Sequence, residues 1–132
     1  MDLKDLTPKS DTVDVVITHP STGKPLTNDD GSEMVIVMYA THTTEYKAEV
    51  HRQTNLKLKR MEKSGKMSIT AEELEESALL HMAKATKEWD ITYDGEKPKL
   101  TVDKAKEVFG AAPWIKAQIE EALAESVDFT NV

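Results

Sequence analysis

Hydrophobic and polar positions change their spacing twice along the chain. Residues 13–17 are largely β-branched and predict a strand ending before His19-Pro20. Ser21-Thr22-Gly23-Lys24-Pro25 is turn chemistry, and Leu26 begins a short return. Asn28-Asp29-Asp30-Gly31 is a second turn, with Gly31 suited to positive φ. Residues 33–39 form the strongest strand. That strand is apolar on both faces, which calls for cover from helices or from another subunit. A two-stranded hairpin is barely stable by itself, so these strands must pack on the rest of the chain or add to a neighbour.

From Thr43 the spacing becomes helical. Tyr46, Val50, Gln53 or Thr54, Lys57 and Met61 recur every three or four residues on a largely polar, basic helix that Ser64-Gly65 ends. Thr70-Ala71-Glu72-Glu73 reads as a capping box opening a second helix. Leu74, Ala78, Met82, Ala85 and Trp89 form its expected buried stripe. A loop with a turn at Asp94-Gly95 leads to a third helix from Thr101, with Val102, Ala105, Val108 and Phe109 inward and Gly110 as its stop. Pro113 opens a fourth helix, with Ile115, Ile119, Ala122 and Leu123 inward and Trp114 at the edge.

The expected fold is α+β: a small N-terminal antiparallel β-hairpin or sheet followed by a bundle of about four helices, predominantly helical. Residues 1–12 read as a loose arm and residues 13–129 as one domain, with strands in 13–40 and helices in 43–128. Residues 130–132 read as a frayed tail.

Composition narrows the function. Hydrophobic residues are 39% and charged residues 31%, which predicts a modest core under a heavily solvated surface. The absence of cysteine excludes a disulfide scaffold, a thiolate metal site and a cysteine nucleophile. No apolar stretch approaches the ~20 residues of a membrane span. The opening MDLKDLTPKSD has no apolar segment, so no secretory signal is expected. The net charge of −7 argues against affinity for nucleic acid or anionic membrane. Charge is divided: residues 34–66 carry seven Lys or Arg against three Glu, while both flanks are acidic. A basic middle between acidic ends suits pairing within the chain, pairing with another copy, or plain solvation.

Candidate chemistry is sparse. His19, His42, His51 and His81 show no metal-ligand spacing, and His81, between Leu80 and Met82, reads as a core-edge or surface residue. Glu72, Glu73, Glu75 and Glu76 read as a solvated helix start and not as a Mg²⁺ site. Ser32, Ser64, Ser68 and Ser77 lack a nucleophile-elbow context, and Gly23-Lys24 lacks the phosphate-loop frame. Neither a catalytic site, a metal nor a cofactor is expected, and the reading turns to binding or assembly. Six methionines against two phenylalanines suggest adaptable apolar surfaces. Met61 and Met67, flanking the Ser64-Gly65 break, suit either interface or core.

His19-Pro20-Ser21-Thr22-Gly23-Lys24-Pro25-Leu26 follows a P-x-T-G-x-P-L pattern. After it come the apolar strand, Thr43-Thr44-Glu45-Tyr46, Trp89-Asp90, Asp94-Gly95, Leu100-Thr101, Pro113-Trp114-Ile115, Gln118-Ile119 and a close near Phe129. This order resembles that of tail assembly chaperones of long-tailed, siphovirus-like bacteriophages, over residues 13–129. The resemblance implies a small non-enzymatic factor of the host bacterial cytoplasm, absent from the finished virion. It would bind the tape measure protein and keep it soluble while tail tube protein is recruited. It also implies self-association, which suits Val35, Val37 and Tyr39 of the apolar strand. Apolar grooves of the helical part would receive amphipathic stretches of the client, with Met61, Met67, Trp89 and Trp114 as expected contacts. A small structural virion protein at the head–tail junction or tail end, adding strands to a neighbour's sheet, is the alternative.

Overall fold

A computed structural model describes residues 2, 10–65 and 69–128, with side chains to residue 126. Its elements, in chain order, are β1 (Thr12–Val16), β2 (Val35–Tyr39), α1 (Thr44–Ser64), α2 (Ala71–Lys84), β3 (Thr86–Asp90), α3 (Val102–Ala111) and α4 (Pro113–Asp128). The fold is α+β, with a three-stranded antiparallel sheet in the order β1-β2-β3 and four helices.

The central strand is the most apolar one, which satisfies its backbone on both sides. Val13 pairs with Met38 and Val15 with Ile36 across β1–β2, and Ile36 pairs with Trp89 across β2–β3. Beyond β1, Ile17, Leu26 and Met34 close a ring of backbone hydrogen bonds. The Ile17 N–H donates to the Met34 carbonyl, Met34 to Leu26 and Leu26 to Ile17, each at 2.9 Å. The short return at Leu26 is therefore present, held by bridges from Thr18 to Pro25 and from Thr27 to Glu33. Gly31 takes φ 88°, as its turn requires.

Four local expectations are corrected, one of them Val102, read as inward but 39% exposed at the start of α3. The helix opened by Thr70 does not run on to Trp89: α2 stops at Lys84 and Thr86–Asp90 is a strand inside the segment read as purely helical. The reason is tertiary. The open edge of β2 captures this segment, placing Thr86 and Trp89 beside Met38 and Ile36. A register shift between Val37 and Met38 hides the period-two pattern in the sequence. Leu74, expected in the buried stripe, is 53% exposed because the first turns of α2 project beyond the core. Gly110 does not stop its helix: α3 runs to Ala111, capped at Ala112, before Pro113 opens α4.

The core lies between one sheet face and the helices. Phe109, Ile17, Ile36, Met38, Ile119 and Val108 are its largest fully buried side chains. The Trp89 ring meets Phe109 edge-on, with centroids 6.3 Å apart, and its Nε1 donates to the Pro98 carbonyl at 2.9 Å. Gln118 docks α4 on the sheet. Its Oε1 accepts from the Thr18 N–H and its Nε2 donates to the Thr18 carbonyl, both at 2.9 Å. The loop before β2 is pinned by buried Asn28, whose Oδ1 accepts from the Thr92 hydroxyl at 2.7 Å.

Candidate interaction surface

Helices α1 and α2 form an antiparallel hairpin that leans on the body at one end. Thr43 caps α1: its Oγ1 accepts from the Tyr46 N–H and donates to the Ala40 carbonyl at 2.7 Å. Gly65 closes the other end in the left-handed region at φ 69°. Thr70 caps α2, accepting from the Glu73 N–H at 3.1 Å. The Glu73 carboxyl is held below its usual range, first by the Arg60 guanidinium of α1 and then by Thr70.

One row of α1 faces α2. The Tyr46 and His81 rings lie 4.6 Å apart, the Gln53 amide donates to the Ser77 carbonyl at 2.9 Å, and Arg60 meets Glu73. In this row Glu49 is the one fully buried residue of α1, at 4% exposure. Burial raises its pKa, but hydrogen bonds from Arg52 and Lys84 outweigh burial and leave it below the usual range. Arg52 Nε donates to Glu49 Oε2 at 2.8 Å, and Lys84 Nζ lies 3.3 Å from Oε1. Beside it a cleft of about 540 Å³ runs between Glu45, Arg52, Lys84, Thr101 and Val102. Its chemistry is that of a neutralised ion cluster.

His81 closes the hairpin root beside Tyr46. Burial lowers its pKa, against a smaller opposing pull from Glu49. Its Nε2 is buried and has no hydrogen-bond partner among the described residues. The other histidines lie elsewhere: His19 Nδ1 accepts from the Ser21 N–H at 3.1 Å within its turn, and His42 stands 3.4 Å from Asp11. Among the described residues no group of three or more metal-ligating side chains converges.

Away from that row, α1 stands in solvent. Val50, Leu56, Leu58 and Met61 are exposed, as is Leu74 on α2, so five of the seven exposed large hydrophobics among the described residues lie on this hairpin. The helix carries Lys47, Arg52, Lys57, Lys59, Arg60 and Lys63 against Glu45, Glu49 and Glu62, a basic rod in a chain of net charge −7.

The expected client contacts do not form one surface. Met61 is exposed on α1, whereas Trp89 lies half-buried in β3 against Phe109, and Trp114 is half-buried against the same core. Met67 lies outside the described residues. Val35, Val37 and Tyr39 do come together, half-buried on the sheet face opposite Ile36 and Met38. Sequence reasoning missed Leu56 and Leu58 and placed Leu74 in the core. For Leu58 the available signal was the spacing of Val50, Thr54, Leu58 and Met61, a second helical stripe beside the one facing α2.

No family model, curated protein or solved structure matches this chain. No described helix is long and apolar enough to cross a membrane.

Proposed function

We propose that this protein is a non-catalytic tail assembly chaperone that binds the tape measure protein and keeps it soluble while tail tube subunits are recruited. It would act in the host bacterial cytoplasm and leave before the virion is finished. One observation carries the reading: a 21-residue helix with a single buried residue holds four large hydrophobics in water. Such a surface costs solubility and has value only when another molecule covers it. An amphipathic helix of the client would lie along the hairpin with its apolar side on Val50, Met61 and Leu74. The basic residues of α1 would select acidic stretches, and the acidic remainder of the chain would keep the complex dispersed.

Co-expression tests this directly. The tape measure protein should move from the pellet to the soluble fraction with the wild-type chain and much less so with a Met61→Glu, Leu74→Glu double variant that folds normally. Equal insolubility with and without the wild-type chain would refute the reading. The alternative, a small structural protein of the head–tail junction or tail end, draws on β1, a sheet-edge strand to which a neighbour's strand can add. Stoichiometric recovery from purified particles by mass spectrometry would favour that alternative.

A further inference from the structure

Helix α1 has a second side, opposite Val50 and Met61, and it is strongly basic. At about 100° per residue, Glu45, Ala48, Arg52, Leu56, Lys59 and Lys63 lie within about 40° of the Arg52 direction, whereas Val50 and Met61 point about 160–180° from it. All six are exposed. Ala48 and Arg52 line the cleft of about 540 Å³ together with Lys84 of α2 and Val102 of α3. Val102 and Leu56 are both exposed, the first in the cleft and the second one turn of α1 beyond Arg52. From Ala48 to Lys63 this face runs about 22 Å at 1.5 Å per residue, with an apolar position before and after Arg52.

Cations exceed carboxylates along it. Within the cleft, Arg52 and Lys84 stand against Glu45 and Glu49. Lys59 and Lys63 extend the same face, and neither has an ion pair among the described residues. The groove thus carries four cations against two carboxylates, a net of +2 on a chain of net charge −7. Arg52 gives its Nε to Glu49, and no described residue takes its two Nη groups. Lys84 Nζ shares that one carboxylate at 3.3 Å. The groove has no aromatic side chain on which a nucleic-acid base could stack, and a phosphate chain would leave Leu56 and Val102 uncovered.

We infer that this groove docks an acidic amphipathic helix of a partner protein. Val102 shares the cleft with Ala48, and Leu56 lies eight residues further along α1, about 12 Å away. A partner helix running beside α1 covers both with apolar residues at i and i+7. Carboxylates at i+4, i+11 and i+15 lie on the same side of that helix and fall near Arg52, Lys59 and Lys63. The free Nη groups of Arg52 suit bidentate capture of the first. A neutral or basic helix would cover the same apolar positions but leave the cations unopposed, so charge selects the partner. The inference goes beyond the chaperone reading, whose contacts Val50 and Met61 lie on the other side of α1, and either can fail alone.

The test titrates the full-length chain against a fluorescein-labelled synthetic helix with Leu at i and i+7 and Glu at i+4, i+11 and i+15, read by fluorescence anisotropy. Wild type should bind saturably, and more weakly at high salt. A peptide of the same composition with the Leu and Glu positions scrambled should bind about tenfold or more weakly. Lys59→Glu with Lys63→Glu reverses two exposed, unpaired cations and should cost about tenfold or more, and Leu56→Gln about fivefold. Lys47→Glu with Lys87→Glu makes the same change of charge at exposed positions away from the groove and should cost less than about twofold. Circular dichroism checks that each variant folds. Equal affinity for the two peptides, an equal loss in both charge-reversed variants, or no saturable binding would each overturn the inference. So would equal competition by a single-stranded RNA oligonucleotide, which would give the surface to nucleic acid. Loss of self-association in the Lys59, Lys63 variant by sedimentation velocity would give the groove to a second copy and overturn it too. Solubilisation of the tape measure protein on co-expression is scored separately, so its failure refutes the chaperone reading and leaves peptide binding to be judged by itself.

Discussion

Glu49 is the residue on which the hairpin root depends. Its carboxylate is buried, and its two cations, Arg52 and Lys84, keep their own exposure to water. Replacing it by Gln leaves both cations solvated but removes two charge-assisted bonds, an expected loss of about 2 kcal/mol at neutral pH. The sign of the pH dependence follows from the lowered pKa. The folded state holds the ionised carboxylate more tightly than the unfolded chain does. This stabilisation is therefore complete above the usual value of 4.5 and is lost as pH falls through the lower folded value. Urea midpoints of wild type and Glu49→Gln should differ at pH 7 and converge as the pH falls below 4.5. The sequence did not reveal this residue. Glu49 looked like one of three acids on a basic helix, and only the approach of α2 brings Lys84 to it.

At the scale of elements, capping and turn residues were legible because their physics is local. Thr43, Thr70 and Gly65 bound α1 and α2 as their chemistry dictates. Gly110 was misread for an equally physical reason. Glycine ends helices by adopting positive φ, and Gly110 has no such φ. It continues α3 where that helix meets α2. A β-carbon there would sit 3.7 Å from Leu79 Cδ1, an ordinary contact. Gly110→Ala should therefore raise stability by about 0.5–1 kcal/mol, by lowering the entropy of the unfolded chain. An unchanged or lower melting temperature would contradict that. Strand β3 was illegible because Lys87, Glu88 and Asp90 are polar and the pairing shift blurs its alternation. Its extended state is imposed by the free edge of β2, not by its own composition.

For the whole molecule, the fourth helix is tied to the first part of the chain through Gln118. A single amide satisfies both backbone groups of Thr18, a hundred residues away in sequence. Gln118→Ala should leave those half-buried groups unpaired and cost about 1–3 kcal/mol by chemical denaturation. Gln118→Glu, which keeps the acceptor and loses the donor, should fall between. The same scale decides the surfaces. Val35, Val37 and Tyr39 are apolar in the sequence, yet nothing local says which residues of the strand meet the helices. The register puts Ile36 and Met38 inward and leaves the other three, with Val16, on the outer face.

Periodicity, caps and turn residues determined that this chain would be α+β, where its four helices begin, and that its basic charge would gather on one of them. These depend on neighbours within a few residues, and a single sequence contains them. Tertiary structure alone decided that Thr86–Asp90 becomes a strand, that Trp89 reaches the core from that strand and not from a helix, and that Leu58 and Leu74 remain in water. Those outcomes rest on contacts between segments far apart in the chain, whose free energy no local pattern records.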